Sequence, residues 1–115
     1  MSLYFETRPW GMFQNLLDTD YCKVKRIAVD PGGRLSYQYH HKRSEVWTIV
    51  KGSGLMTLDD SEFKVAEGDV IEIPVERKHR IQNNSEDELI FIEVQHGSYF
   101  GEDDIVRLQD DYKRE

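Results

Sequence analysis

Apolar and polar residues alternate with a period of two through most of this chain, in short runs that turn residues cut apart. CKVKRIAVD (22–30) stops at Pro31, Gly32 and Gly33, and RLSYQYH (34–40) gives way to a polar stretch around Lys42 and Arg43. EVWTIV (45–50) runs into KGSG, LMTLD (55–59) into Asp60 and Ser61, and EFKVA (62–66) into Glu67 and Gly68. DVIEIP (69–74), HRIQN (79–83) and ELIFIEVQ (88–95) complete the series, the last two separated by an Asn-Asn-Ser turn. About eight strands with turns at intervals of about 8–12 residues predict an all-β fold, a sandwich or a small closed barrel whose closure removes exposed edges. The ends read differently. RPWGMFQNLL (8–17) suits an aromatic segment laid across the barrel. GEDDIVRLQDDY (101–112) places acidic residues ahead of Ile105, Val106 and Leu108, which predicts a short C-terminal helix with carboxylates at its positive end.

Composition narrows the class without changing it. A chain of 115 residues suits a single domain over 1–115, and 38% hydrophobic with 32% charged residues is an ordinary soluble balance. No stretch approaches the roughly 18 apolar residues of a membrane span, and the N-terminus shows no basic start followed by an apolar run, so no secretory signal is expected. A single cysteine, Cys22, forms no internal disulfide and suits a reducing cytoplasm, where it serves as a small buried residue. The net charge of −7 argues against nucleic acid as a partner. It leaves room for a small anion held by a local cluster of cations.

Spacing singles out the chemistry. Gly32 is followed after five residues by Gln38, then His40, Glu45 and Gly52; downstream, Gly68 is followed by Pro74, His79 and Asn83. Ser36, Gln38 and His40 share one strand face because side chains alternate. Glu45 opens the next strand, and a hairpin brings it beside them. Together Gln38, His40, Glu45 and His79 offer two imidazoles, a carboxylate and an amide oxygen. That set suits one divalent ion (zinc, manganese, cobalt, nickel or iron), or else a closed hydrogen-bond network inside the barrel.

The two-part spacing resembles the cupin family, small jelly-roll-like β-barrels whose motifs run G-x5-H-x-H-x3/4-E-x6-G and G-x5-P-x-G-x2-H-x3-N. Gln38 replaces the first histidine, and Glu76 replaces the glycine after the proline. A narrower resemblance accounts for the glutamine. RPWG (8–11), VKRI (24–27), LSYQYHHKRSEVW (35–47), IEVQ (92–95) and GSYFGEDDIVR (97–107) are similar to the type II mannose-6-phosphate isomerase domain, often fused behind a mannose-1-phosphate guanylyltransferase. In that subfamily the first position is normally glutamine. The guanylyltransferase half is missing from this sequence, so the expectation is a free-standing isomerase-like domain.

The resemblance implies a metal-dependent conversion of mannose 6-phosphate to fructose 6-phosphate, or of a close aldose–ketose pair, and a functional arginine at Arg43. A guanidinium there can grip a phosphate or a developing enediolate through paired N–H bonds. Lys42 beside it is either a second anion contact or a solvated turn residue. Lys25 and Arg26 lie consecutively in a strand, so one of them points inward as a substrate cation. Glu93 and Gln95 share the strand face of Leu89 and Phe91, a face that begins apolar and turns polar as a ligand-lined mouth does. Glu93 is the candidate proton-transfer base and Gln95 a candidate substrate contact. A sugar- or acid-binding module without turnover, or another metal-dependent cupin enzyme such as a dioxygenase, stands as the alternative. A homodimer is expected.

Overall fold

The computed structural model describes residues 4–112. Within them lie eleven β-strands and no helix: β1 (Phe5–Arg8), β2 (Gly11–Asp18), β3 (Cys22–Val29), β4 (Tyr37–Tyr39), β5 (Arg43–Lys51), β6 (Ser53–Leu58), β7 (Ser61–Ala66), β8 (Val70–Ile73), β9 (His79–Gln82), β10 (Leu89–Gly97) and β11 (Val106–Gln109). They form two antiparallel sheets. One runs β1-β2-β3-β10-β5-β8, the other β11-β4-β9-β6-β7. All eight alternating runs of the sequence are strands.

Three expectations need correction. The sheets do not close into a barrel: β1 and β8 end one sheet, β11 and β7 the other. Three of these edges are only four residues long and β7 carries Glu62 and Lys64, so brevity and charge blunt the edges in place of closure. The segment 8–17 does not cross the sheets as a separate strap. It contributes β2, which pairs along β3 and buries Phe13, with Trp10 buried in the turn before it. The C-terminal helix is absent, and Val106–Gln109 instead pairs with β4 as an edge strand. The acids that looked like helix-capping residues are spent on tertiary contacts: the Asp104 carboxylate accepts the backbone N–H of His41 (3.0 Å) and of Lys42 (2.9 Å).

The core lies between the sheets, and the three central strands share one design. Val29 and Ile27 on β3, Ile49 and Trp47 on β5, and Leu89 and Phe91 on β10 all point inward and are buried. In register, Phe91 lies opposite Ile27 on one side and Ile49 on the other. The Trp47 and Phe91 rings stack with centroids 4.3 Å apart. Further along the same inward rows the residues turn polar: Lys25 and Lys23, Glu45 and Arg43, Glu93 and Gln95. Glu93 is opposite Lys25, and Gln95 is opposite both Lys23 and Glu45. One end of the sandwich is therefore an apolar core and the other a charged cleft.

The turns show why the motif residues recur. Gly52, between β5 and β6, has φ +83°, and a Cβ there would run into the Glu88 carbonyl. Asn83 is buried; its amide nitrogen donates to the carbonyls of Val29 (2.9 Å) and Asp87 (2.7 Å), while its oxygen accepts from Ser85. It is a structural clasp. Glu76, at the position where the motif has glycine, adopts φ +64°. A side chain in this left-handed region costs roughly 1–2 kcal/mol. Its compensations are a backbone bond from its N–H to the His40 carbonyl, which glycine keeps, and an exposed contact with His41. Glu76→Gly is therefore expected to raise unfolding stability by about 1 kcal/mol. Urea denaturation checks this, and a less stable variant would show that the His41 contact outweighs the strain.

Candidate metal centre and cleft

Three strands deliver the polar cluster. His40 directly follows β4, Glu45 lies on β5, His79 opens β9 and Gln38 sits in β4 directly opposite His79 in register. His40, Glu45 and His79 are buried, and one ligand atom from each lies within 4.8 Å of the others. Gln38 is half-buried and lines the same cleft.

The protons on the two imidazoles are placed by the backbone. His40 Nδ1 lies 2.6 Å from the Asp104 carbonyl, and His79 Nδ1 lies 2.9 Å from the Arg77 carbonyl. A carbonyl can only accept, so each Nδ1 carries the hydrogen and each Nε2 turns its lone pair inward. Both Nε2 atoms face Glu45, at 3.3 Å from Oε2 for His40 and 3.8 Å from Oε1 for His79. Burial drives the His40 pKa down to about 4 and lowers that of His79, so both rings are neutral near pH 7. Burial alone would raise the Glu45 pKa, but His79, His40, Arg43 and the Trp47 N–H hold it at about 2. His79 Nε2 is buried without a hydrogen-bond partner. Neutral imidazoles fixed through Nδ1, an ionised carboxylate and an orphaned nitrogen are what a divalent cation requires, and the donor set fits one.

Arg43 is the fourth member of the cluster. It is buried, its Nε donates to Glu45 Oε2 (2.8 Å), and its Nη2 lies 3.3 Å from His40 Nε2. Trp47 Nε1 donates to the other carboxylate oxygen (2.8 Å). Glu93 faces the same cleft. Burial first, and the charge of Glu45 second, push its pKa up to about 8, against the pull of Lys25 and Arg43. Gln95, fully buried, donates to Glu93 Oε2 (2.6 Å).

The remaining sequence candidates divide by strand phase. Lys25 points into the cleft, with Nζ 4.1 Å above the Phe13 ring and ion-paired to Glu102. Arg26, one residue on, faces the other side of the sheet, where its Nη1 lies 3.7 Å from Met12 Sδ. Lys42 is exposed on the turn, with Nζ 5.2 Å from the Tyr99 ring centroid, and does not line the cleft. Among the lining residues that escaped the sequence reading are Arg8, Glu102, Ile105 and Arg107. Glu102 also approaches Lys23 (3.5 Å), and burial, which would raise its pKa, is outweighed by Lys25, so the carboxylate stays ionised. The available signal was the buried Lys23 and Lys25, since paired buried cations call for a carboxylate from elsewhere in the chain.

Comparison with known proteins follows this geometry. The family described as "Mannose-6-phosphate isomerase C-terminal" matches over residues 4–110. The chain belongs to this family. Over 107 residues it is 46% identical to the alginate biosynthesis protein AlgA of Pseudomonas aeruginosa, covering 93% of this chain and 22% of that protein. It is 41% identical to a mannose-1-phosphate guanylyltransferase of Klebsiella pneumoniae, again over 93% of this chain and 23% of that protein. The chain thus spans less than a quarter of the length of these relatives. Among solved structures, the capsular polysaccharide assembling protein CapF of Staphylococcus aureus superposes with TM-score 0.83 at 23% identity, over 96% of this chain and 33% of that one. A cupin 2 conserved barrel domain protein of Salinispora arenicola gives TM-score 0.68 at 20% identity, over 75% of each chain. These structural likenesses show that the chain has a cupin fold.

The raised pKa of Glu93 makes a stability prediction for the protein in the presence of a chelator. The folded state holds this proton up to about pH 8, while the unfolded chain releases it near 4.5. Its contribution to stability is therefore full below pH 4.5 and lost as pH rises through 8. Glu93→Gln removes that loss, so the variant should be more stable than wild type at pH 8 and lose this advantage near pH 4.5. Urea unfolding with chelator at both pH values decides it; equal stability at pH 8 would mean that the carboxylate is solvated after all.

Proposed function

We propose that this cupin domain is a metal-dependent aldose–ketose isomerase acting on mannose 6-phosphate and fructose 6-phosphate, or on a close sugar-phosphate pair. The observation that carries the reading is the single cleft that joins a neutral His40/His79 pair and ionised Glu45 to a protonated carboxyl, Glu93, and a buried guanidinium, Arg43. Membership in the family supports the substrate class. Gln38, His40, Glu45 and His79 would hold one divalent ion, which when bound supplies electrophilic polarisation of a sugar carbonyl.

The reaction moves a proton between C1 and C2 through a cis-enediol. Glu93, with a pKa of about 8, is close to balanced between giving and taking a proton near neutral pH, as a group that does both must be. Gln95 fixes its rotamer. Arg43 offers N–H donors to oxygen that gains negative charge, and one of them, Nη1, is buried without a partner. Lys25 and Lys23 meet the carboxylate of Glu102, which is half-exposed; the phosphate of a substrate would take its place on the two ammonium groups. Arg26 and Lys42 lie outside the cleft and have no part in this scheme.

A second reading, a domain that binds a sugar or small acid without turning it over, draws on one feature. Arg43 already neutralises Glu45 and approaches His40 Nε2, so the cluster is balanced without an ion.

A coupled assay for fructose 6-phosphate, with and without added divalent metals, separates the two. The isomerase reading expects metal-stimulated turnover that falls by about 10²–10³-fold in Arg43→Ala and about 10²–10⁴-fold in Glu93→Gln. Metal analysis should find about one ion per chain, retained in Arg43→Ala and lost in His40→Ala. A folded protein that takes up metal but never turns over substrate would leave the binding role.

A further inference from the structure

The second sheet has a concavity on the side away from the metal centre. β9 makes the division: His79 points into the cleft and Arg80, the next residue, points to the opposite face. There it forms the floor of a groove of about 250 Å³, whose walls include Arg34, Tyr37, Thr57, Gln82 and Gln109.

Arg80 is only 6% exposed. Its Nε donates to the Leu35 carbonyl (3.0 Å) and its Nη1 to Gln109 Oε1 (3.2 Å). Nη2 is buried and makes no hydrogen bond; the nearest carboxylate oxygen, on Asp111, is 4.0 Å away. That carboxylate is already taken by Arg34, whose Nε and Nη2 grip both of its oxygens. Arg34 and Arg80 both approach Asp111, and the charge of Asp110 also acts on Arg80. Of the two acids at the other end, Asp60 is engaged by the Tyr37 hydroxyl (2.7 Å) and by Lys78 (3.0 Å), while Glu62 is exposed. The part of the groove over Arg80 therefore offers one unmet charged donor, Nη2, and neutral donors in the Thr57 hydroxyl and the Gln82 amide.

We propose that this groove is a binding site for a small oxyanion, a phosphate or carboxylate group, separate from the metal centre and back to back with it across β9. Arg80 Nη2 supplies the charge-assisted bond, and Thr57 and Gln82 complete the donors. The site is independent of the reaction run in the cleft.

Amide NMR of the ¹⁵N-labelled protein tests it by location. Inorganic phosphate and, separately, acetate are titrated at constant ionic strength. Saturable shifts at Thr57, Arg80 and Gln82 are expected with at least one of them, and the anion that saturates tells a phosphate site from a carboxylate site. Gln82→Glu places a carboxylate two residues from Arg80 on the same strand face and should weaken binding about tenfold or more. Thr57→Glu does the same from the neighbouring strand and serves if Gln82→Glu does not fold. Shifts confined to the cleft, no shifts with either anion, or unchanged affinity in the folded variant would overturn the proposal.

Discussion

A carboxylate with almost no contact with water organises this domain. Glu45 is 2% exposed, and an ionised group at that depth persists only if its partners replace the lost solvent. Arg43 and Trp47 come from its own strand, His40 from just after the strand before it, and only His79 from a distant part of the chain, in the opposite sheet. The two sheets thus meet at their polar end around this carboxylate, as they meet at the other in an apolar core that takes Ile49 and Phe91 from one sheet and Met56 and Ile81 from the other. Removing one partner would leave the others with a buried charge to absorb, so the cluster stands as a unit.

The same inward rows serve packing and chemistry in succession. Along β3 and β10 the change from apolar to charged residues occurs at matching register, Phe91 opposite Ile27 and Glu93 opposite Lys25, while on β5 it comes one inward pair later, with Trp47 opposite Glu93. Trp47 belongs to both halves: its ring packs on Phe91 while its N–H holds Glu45. The rigidity of the packed half is thereby passed directly to the carboxylate.

How much of this could be read from the sequence depended on how local the signal was. The eight central strands were legible because alternation reports a buried face residue by residue. That His40, Glu45 and His79 would come together was legible because their spacing survives any detail of the turns. Strands β1 and β2 were obscured by Pro9 and Gly11, which break the run around Trp10. The acids of 101–104 mimic a helix start, and only the folded chain reveals that Glu102 answers Lys25 and Asp104 answers the turn after β4. Lys25 and Arg26 were left undivided, although Ile27 and Val29 share the parity of Lys25 and so held the answer.

Asp104 ties these threads together in an unexpected way. Its carboxylate secures the turn at His41 and Lys42, and its own carbonyl chooses which nitrogen of His40 keeps the hydrogen. A main-chain oxygen in the last tenth of the chain therefore selects the tautomer of an imidazole sixty-four residues earlier. Because that oxygen belongs to the peptide and not to a side chain, no single substitution deletes it. Evolution at this position can shift the loop, but it cannot edit the acceptor away, and His40 inherits a constancy that its own codon does not encode.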